Sequence, residues 1–431
     1  MKRARGGALL VASSVLWLPA QSLAAVVRVP ADAQSIHAGV AAAQAGDTVL
    51  IAPGTYYEHD IELKDGITVL GEGRNEPAVT IDAVGLGRIM NAHNPTVKPM
   101  HAHIEGITFR NGFASTGGGI AASGSDFGFE LEIVSCAFVA NIAQRGGGLY
   151  VQAGNGSLID CRFDGNTAVH GGGLACADAC MTNVKAVSAL RCEFVGNAAT
   201  MAGGAVDVGM HSLHMTDCIL EDNQAQMGGA VHSSNYNSAG CRLQGCVFAR
   251  NIATEGGAFH SMEDVLFIAN CLFTENRAKV GGAAWISYPR DAVIRSCTFA
   301  RNAAPKASGI CFSEVPLLSL EQSILADGAD GNAIACIWNG ELLELTCCDV
   351  YGNEGGDWVG CIADQLGVSG NISLDPRFCL GQNPSSPYSL QAGSPCAEGN
   401  DGECGQIGAL GVGCEDTSIV QTSISAIKVL Y

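Results

Sequence analysis

The sequence predicts an all-β protein, a solenoid of the parallel β-helix type with coils of about 25–26 residues. A phrase that reads CEFVGNAATMAGGAVD at residues 192–207 recurs along most of the chain. A fixed period of this size marks a repeat architecture, in which each unit buries its apolar face only against its neighbours. Nine copies open at Cys136, Cys161, Cys192, Cys218, Cys246, Cys271, Cys297, Ser323 and Cys348, at steps of 25, 31, 26, 28, 25, 26, 26 and 25 residues. Apolar runs this short, punctuated by Gly and Asn, do not suit the paired helices of the common helical repeats. Short strands separated by turns do suit them, with like residues stacked coil over coil at about 4.8 Å.

The columns of the repeat assign most of its residues to architecture. Two residues after the openers stand Phe138, Phe163, Phe194, Leu220, Phe248, Phe273, Phe299, Leu325 and Val350. Residues two apart on a strand point the same way, so opener and aromatic are expected to face the core together. The eight cysteines of that column then act as small buried hydrophobes, and Ser323 in their place agrees with that role. Three residues after the aromatic column come Asn141, Asn166, Asn197, Asn223, Asn251, Asn276, Asn302 and Asn353, with Gly328 once. Asn tolerates positive φ, so these residues are expected to occupy the sharp bends, with stacked side chains bonding to adjacent turns. The Gly-Gly pair marks the next bend, where backbone passes close to backbone.

Residues 1–25 read as a secretory signal peptide, with basic Lys2, Arg3 and Arg5, an apolar run over 8–18, and Ser22, Ala24 and Ala25 near the cut. No Cys follows the cut, so no lipid anchor is expected, and no other apolar run is long enough to span a bilayer. Residues 26–47 read as an N-terminal cap, with an amphipathic helix over 32–45 that puts Ile36, Val40 and Ala43 on one face. Strands over 48–52, 67–70 and 79–81 begin the early coils (48–130), and the repeats fill 131–355. Residues 356–415, rich in Gly, Pro, Ser and Cys, read as a C-terminal cap, and 416–431 as a tail. Disulfide candidates are the loop cysteines: Cys176 with Cys180, and Cys379, Cys396, Cys404 and Cys414, with the pairing left open. Formal net charge is −19, and loss of the leader's three cations takes it near −22. Such acidity argues against nucleic acid and anionic membranes as partners.

The segment VPADAQSIHAGVAAAQAGDTVLIAPGTYYE resembles the opening of exported bacterial right-handed parallel β-helix proteins of the pectin lyase-like superfamily. The phrases FVGNAATMAGGAV and FTENRAKVGGAAW resemble repeats of the chlamydial polymorphic outer membrane proteins. These resemblances imply a right-handed coil and an extracellular setting. They leave the activity open, because the superfamily spans lyases, hydrolases and adhesins. The polymorphic membrane proteins end in a membrane barrel, whereas seventeen residues follow Cys414 here, so a complete autotransporter is not expected. The clustered acids of the pectin-degrading relatives have no residue-by-residue counterpart in this chain.

Chemistry is expected on the strand after each Gly-Gly pair. The third residue after the first Gly is Ile120, Leu149, Leu174, Val206, Val231, Phe259, Ala284 or Ile310, and faces in. The next residue faces out: Ala121, Tyr150, Ala175, Asp207, His232, His260, Trp285, Cys311. Asp207, His232 and His260 fall on consecutive coils, where side chains share a proton or a metal ion, and they are the candidate catalytic residues. Trp285 and Tyr150 are candidate ligand-binding residues, the indole offering a face to a sugar ring. Against this, an outward column must be filled by something, and polar and aromatic residues are common there. Glu263, Asp264, His211 and His214 are placed in adjacent loops, and the long loops CADACMTNVKAV and HSSNYNSAGC on either side of the strip. His101, His103, His59 and Asp60 read as loop residues. A divalent cation suits the strip, zinc spacing motifs are absent, and no cofactor is assigned. No Gly-x-Ser-x-Gly elbow and no phosphate-binding Gly loop occurs. The expectation is a secreted or cell-surface, adhesin-like monomer whose partner is a carbohydrate or a cell-surface component. The alternative is a polysaccharide lyase or glycoside hydrolase.

Overall fold

Each repeat folds into one coil of three strands, as in Phe129–Val134, Ala137–Val139 and Leu149–Gln152. The computed structural model describes residues 24–415, save 74–77, 95–98, 125–127, 178–184, 236–239, 263–264, 315–317, 338–342 and 401–403. Residues 1–23, which hold most of the segment read as a leader, and 416–431, read as a tail, lie outside the described residues. Corresponding strands of successive coils pair in parallel, giving sheets A, B and C of thirteen, twelve and eleven strands among the described residues. The chain is a parallel β-helix. Like pairs with like: Phe138 with Phe163, Phe163 with Phe194, and Phe248 with Phe273. The Phe rings stack at 4.6 Å in these three pairs. The column cysteines are buried beside them, and each thiol meets backbone carbonyls, as Cys161 Sγ donates to Ile133 O and Ile159 O at 3.4 Å.

The bends differ from the expectation for Asn. Positive φ falls on the residue before each opener (Ser135, Asp160, Arg191, Asp217) and on the residue before each Asn (Ala140, Gly165, Gly196, Asp222, Arg250). The Asn residues point inward and are buried. The bend lies one residue earlier, and the carboxamide satisfies the backbone that the bend leaves unpaired. Asn141 N–H and Nδ2 both donate to Asn166 Oδ1, at 3.0 and 2.9 Å, while Asn141 Nδ2 also donates to Phe109 O at 3.0 Å. The same pattern repeats through Asn302 and is interrupted at Gly328. The Gly-Gly pair is required sterically. Gly146 has φ 61°, and a Cβ there would collide with Leu149 O, while one on Gly147 would collide with Gly172 O of the next coil.

Both ends are covered. Helix α1 (Ile36–Ala42) is shorter than the periodicity over 32–45 suggested. Ser35 caps it, its Oγ accepting from Ala38 N, and the Glu58 carboxylate takes the N–H groups of Ile36 and His37 at 2.8 Å. Ile36 and Val40 bury onto the first coil. At the other end, the segment after residue 355 folds back along the outer face of sheet B. Phe378, Tyr388, Leu390 and Ile407 form a second core there with Leu272, Ala300, Ile324 and Ala326.

Among the described residues, disulfides join Cys336 to Cys361, Cys347 to Cys404 and Cys379 to Cys414. Two of the expected cysteines are placed otherwise. Cys176 is buried in the core from the strand Leu174–Ala177, and Cys180 lies outside the described residues. Cys396 keeps its thiol, which donates to Asp349 Oδ2 at 3.1 Å. Cys336, Cys347 and Cys361 were not foreseen. Cys347 occupies the positive-φ bend beside the column residue Cys348, so adjacent cysteines face opposite sides.

The ladder is open to test. Asn223 Oδ1 accepts from Asn197 N at 2.9 Å, and its Nδ2 donates to Phe194 O at 2.9 Å and to Asn251 Oδ1 at 3.0 Å. Asn223→Ala removes the side-chain partner of Asn197 N and Phe194 O, at about 1–3 kcal/mol for each group left unmet, so chemical denaturation should show a loss of about 2 kcal/mol or more. A change within about 0.5 kcal/mol would contradict the ladder's role. A second test concerns Asp349, which is buried and accepts from Leu374 N at 3.0 Å. Burial pushes its carboxyl up to about 7. The folded state thus keeps a proton that the unfolded chain releases near pH 4, so this group's contribution falls as pH rises from about 4 to about 7. Asp349→Asn should gain thermal stability over the parent across that interval. Parallel Tm profiles for the two proteins would refute this.

Candidate functional site

The strands of sheet C bring the predicted strip together. Asp207 pairs with His232, His232 with His260, and His260 with Trp285, coil by coil. An ionised carboxylate only accepts, so His232 donates from Nδ1 to Asp207 Oδ1, at 2.7 Å. The other oxygen, Oδ2, lies 3.6 Å from Nδ1 of His170, which the sequence did not single out. The rings of His232 and His260 stack at 5.2 Å, and Trp285 meets His260 edge-on at 5.5 Å.

These residues leave the main core, yet most are covered. His232 is 8% exposed, His260 2% and Tyr150 6%, with Tyr150 packed between Ala121 and Ala175. The Gly bend runs close beside the start of each strand: a Cβ on Gly171 would lie 2.8 Å from the Ala175 side chain, and one on Gly256 3.1 Å from Trp285 N. Asp207 keeps 18% of its side chain in solvent, and His170 more. Burial, aided by His232, pushes the His260 imidazole down to about 3 and holds it neutral. Its Nε2 is 3.8 Å from Glu255 Oε2, whose carboxyl burial shifts upward. His260 Nδ1 and Trp285 Nε1 are buried with no hydrogen-bond partner. Chemically, the strip is an imidazole oriented by a carboxylate, with a buried aromatic stack behind it.

A second polar face lies on the outside of sheet A. The strands Met100–Glu105 and Phe129–Val134 alternate between buried apolar and outward polar residues, so His101 and His103 are on a strand rather than in a loop. His103 sits between two carboxylates, with Nδ1 2.8 Å from Glu132 Oε2 and Nε2 3.2 Å from Glu105 Oε2. His101 Nδ1 is 3.7 Å from Glu130 Oε2. On the next two coils small residues replace these tall ones: Asn155 and Ser157, then Ala186 and Ser188. His214 rises again beyond them. The result is an open groove of about 730 Å³. His211 and His214 are on the strand His211–Thr216, not in a loop, and His211 is turned inward and buried. The alternation in MHAHIE and FELEIV was the signal for this face. His59 and Asp60 are hydrogen-bonded at 2.8 Å outside any strand. Glu263, Asp264 and residues 178–184 and 236–239 of the two long loops lie outside the described residues.

Among the described residues no group of three or more His, Cys, Asp or Glu side chains is arranged to hold a metal ion. No helix among them is long and apolar enough to cross a membrane.

No known protein family matches the sequence. A metabotropic glutamate receptor-like protein R of Dictyostelium discoideum is 28% identical over 137 residues, which is 31% of this chain and 8% of that protein. Among solved structures, pectate lyase Pel9A is similar at 12% identity and a TM-score of 0.41, over 91% of this chain and 97% of that one. The PL6 family alginate lyase AlyGC gives 13% and 0.33, over 77% and 53%. A tailspike protein of Acinetobacter baumannii bacteriophage Fri1, a capsular polysaccharide depolymerase, gives 13% and 0.33, over 72% and 52%.

The covering of the strip has a spectroscopic consequence. The His260 ring is expected to show no titration in nuclear magnetic resonance between about pH 5 and pH 8, whereas a midpoint near the ordinary imidazole value of about 6.5 would place it in water. Because the unfolded chain takes up this proton first, stability falls as pH drops below about 6.5. His260→Phe should lessen that acid loss.

Proposed function

We propose that this chain is an extracellular β-helix that binds a glycan along the outer groove of sheet A. The observation that carries this reading is the groove itself. Its lining spans six strands, from Thr68 to His214, or five coil steps of about 4.8 Å, roughly 24 Å in all. That length accommodates several sugar rings in a row. The low ground of Ser157, Ser188 and Asn155 offers hydroxyls and a carboxamide, and the rims offer imidazole and carboxylate, the groups that pair with sugar hydroxyls. The three disulfides favour an oxidising, extracellular compartment. The formal charge of −19 disfavours nucleic acid.

A second reading, a polysaccharide lyase or hydrolase, is favoured by one contact. The Asp207–His232 hydrogen bond fixes a tautomer and leaves Nε2 as a proton acceptor, as general-base catalysis needs. In that reading His170 and the solvent-facing edge of Asp207 mark the approach, and Trp285 supports the rings from behind.

Affinity electrophoresis against a panel of soluble polysaccharides, with assays for new reducing and unsaturated ends, separates the two. The binding reading expects retardation without turnover. It also expects Ser188→Trp, which fills the low ground, to weaken binding by about tenfold or more at unchanged Tm. Retardation indifferent to Ser188→Trp contradicts the groove. Turnover that disappears in the Asp207→Ala, His232→Ala double variant decides for the enzyme.

A further inference from the structure

We infer that the glycan taken by the sheet A groove carries amino groups, as in glucosamine units, and not carboxylates. This rests on the groove-binding reading above and names its ligand class. The acidic rim carries Glu130 and Glu132, both largely exposed, with Glu105 behind them. The imidazoles of His101 and His103 are already engaged by these carboxylates. Among the described residues no Lys or Arg lines the groove. Further along the sheet, the Arg242 guanidinium lies over the Phe267 ring at 4.2 Å.

A uronate polymer brings one carboxylate per ring and needs forked or point cations to meet it. Here it would meet carboxylates, on a chain that is itself strongly anionic. An ammonium on a sugar ring finds the opposite situation. Glu130 and Glu132 stand two residues apart on one strand, about 6.8 Å along it, so both face the same ligand stretch. Ring hydroxyls further along meet Ser157, Ser188 and Asn155.

The test uses the full chain and calorimetric titration with oligosaccharides of one length: deacetylated chitosan, its N-acetylated counterpart, and oligogalacturonate. Chitosan oligomers are expected to bind about tenfold tighter than the acetylated form, with oligogalacturonate weakest. Added salt should narrow the difference. The Glu130→Gln, Glu132→Gln double variant should lose the preference, so that the two oligomers bind with similar affinity, while keeping Tm. If oligogalacturonate binds as tightly as chitosan, or the acetylated form does, and Ser188→Trp abolishes that binding, the ligand class is wrong and the groove stands. If no oligosaccharide shows binding sensitive to Ser188→Trp, the groove reading itself falls, and this inference with it.

Discussion

The buried carboxamide ladder is the interaction on which the rest depends. A coil has no hydrophobic interior of its own, so its residues are held only if the coil above repeats them in the same place. Main-chain pairing alone fixes the distance between coils but tolerates sliding. The ladder does not. Each Asn side chain accepts from the coil before it and donates to the coil after it and to a carbonyl of the coil before, as Asn166 does with Asn141, Asn197 and Phe138. A slip by one residue would break every such bond at once and turn the Phe column outward. The stacked phenyl rings, the thiol column and the outward rows of both polar faces inherit their alignment from this single line of side chains.

What could be read in advance follows from the same physics. The coil, its core columns and the placement of Asp207, His232, His260 and Trp285 in one row are periodic properties, and periodicity is visible in one dimension. Three things were not. The exposure of the row depends on how closely the Gly bends run beside the strands of sheet C, which spacing does not contain. The positive-φ position lies beside the Asn and falls on Ala140, Arg250 and Glu275, residues with little preference for it, because the ladder imposes the geometry on whatever residue precedes it. The sheet A groove arises where tall and small side chains alternate between coils, partly in early coils that lack the Cys-x-Phe phrase. Cys347 and Cys348 show the limit most sharply: neighbours in sequence, one is buried in the column and the other bonds to Cys404.

The two polar faces illustrate how a solenoid separates tasks. On sheet C the polar row is largely withdrawn from water, and its histidines are held neutral or hydrogen-bonded. On sheet A the polar rows stand in solvent on a flat, regular support. One coil supplies both faces through residues only a few positions apart in each repeat, so either face can change by substitution without disturbing the core between them.

The ladder has one gap, and its position gives the C-terminal segment a meaning beyond end protection. In a single repeat the thiol column is broken by Ser323 and the carboxamide column by Gly328, while the first glycine of the preceding pair is replaced by Ala307. A rod with one such joint is weakest there against bending and shear. The returning segment lies across that joint, contacting Leu272 and Ala300 on one side and Cys347 on the other, with Ile324 beneath it. Gly408 N–H bonds to Gln322 O, Ala409 N–H bonds to Thr298 Oγ1, and the Cys347–Cys404 bridge locks the far edge. It acts as a splint, carrying load around the coil where the carboxamide line is interrupted.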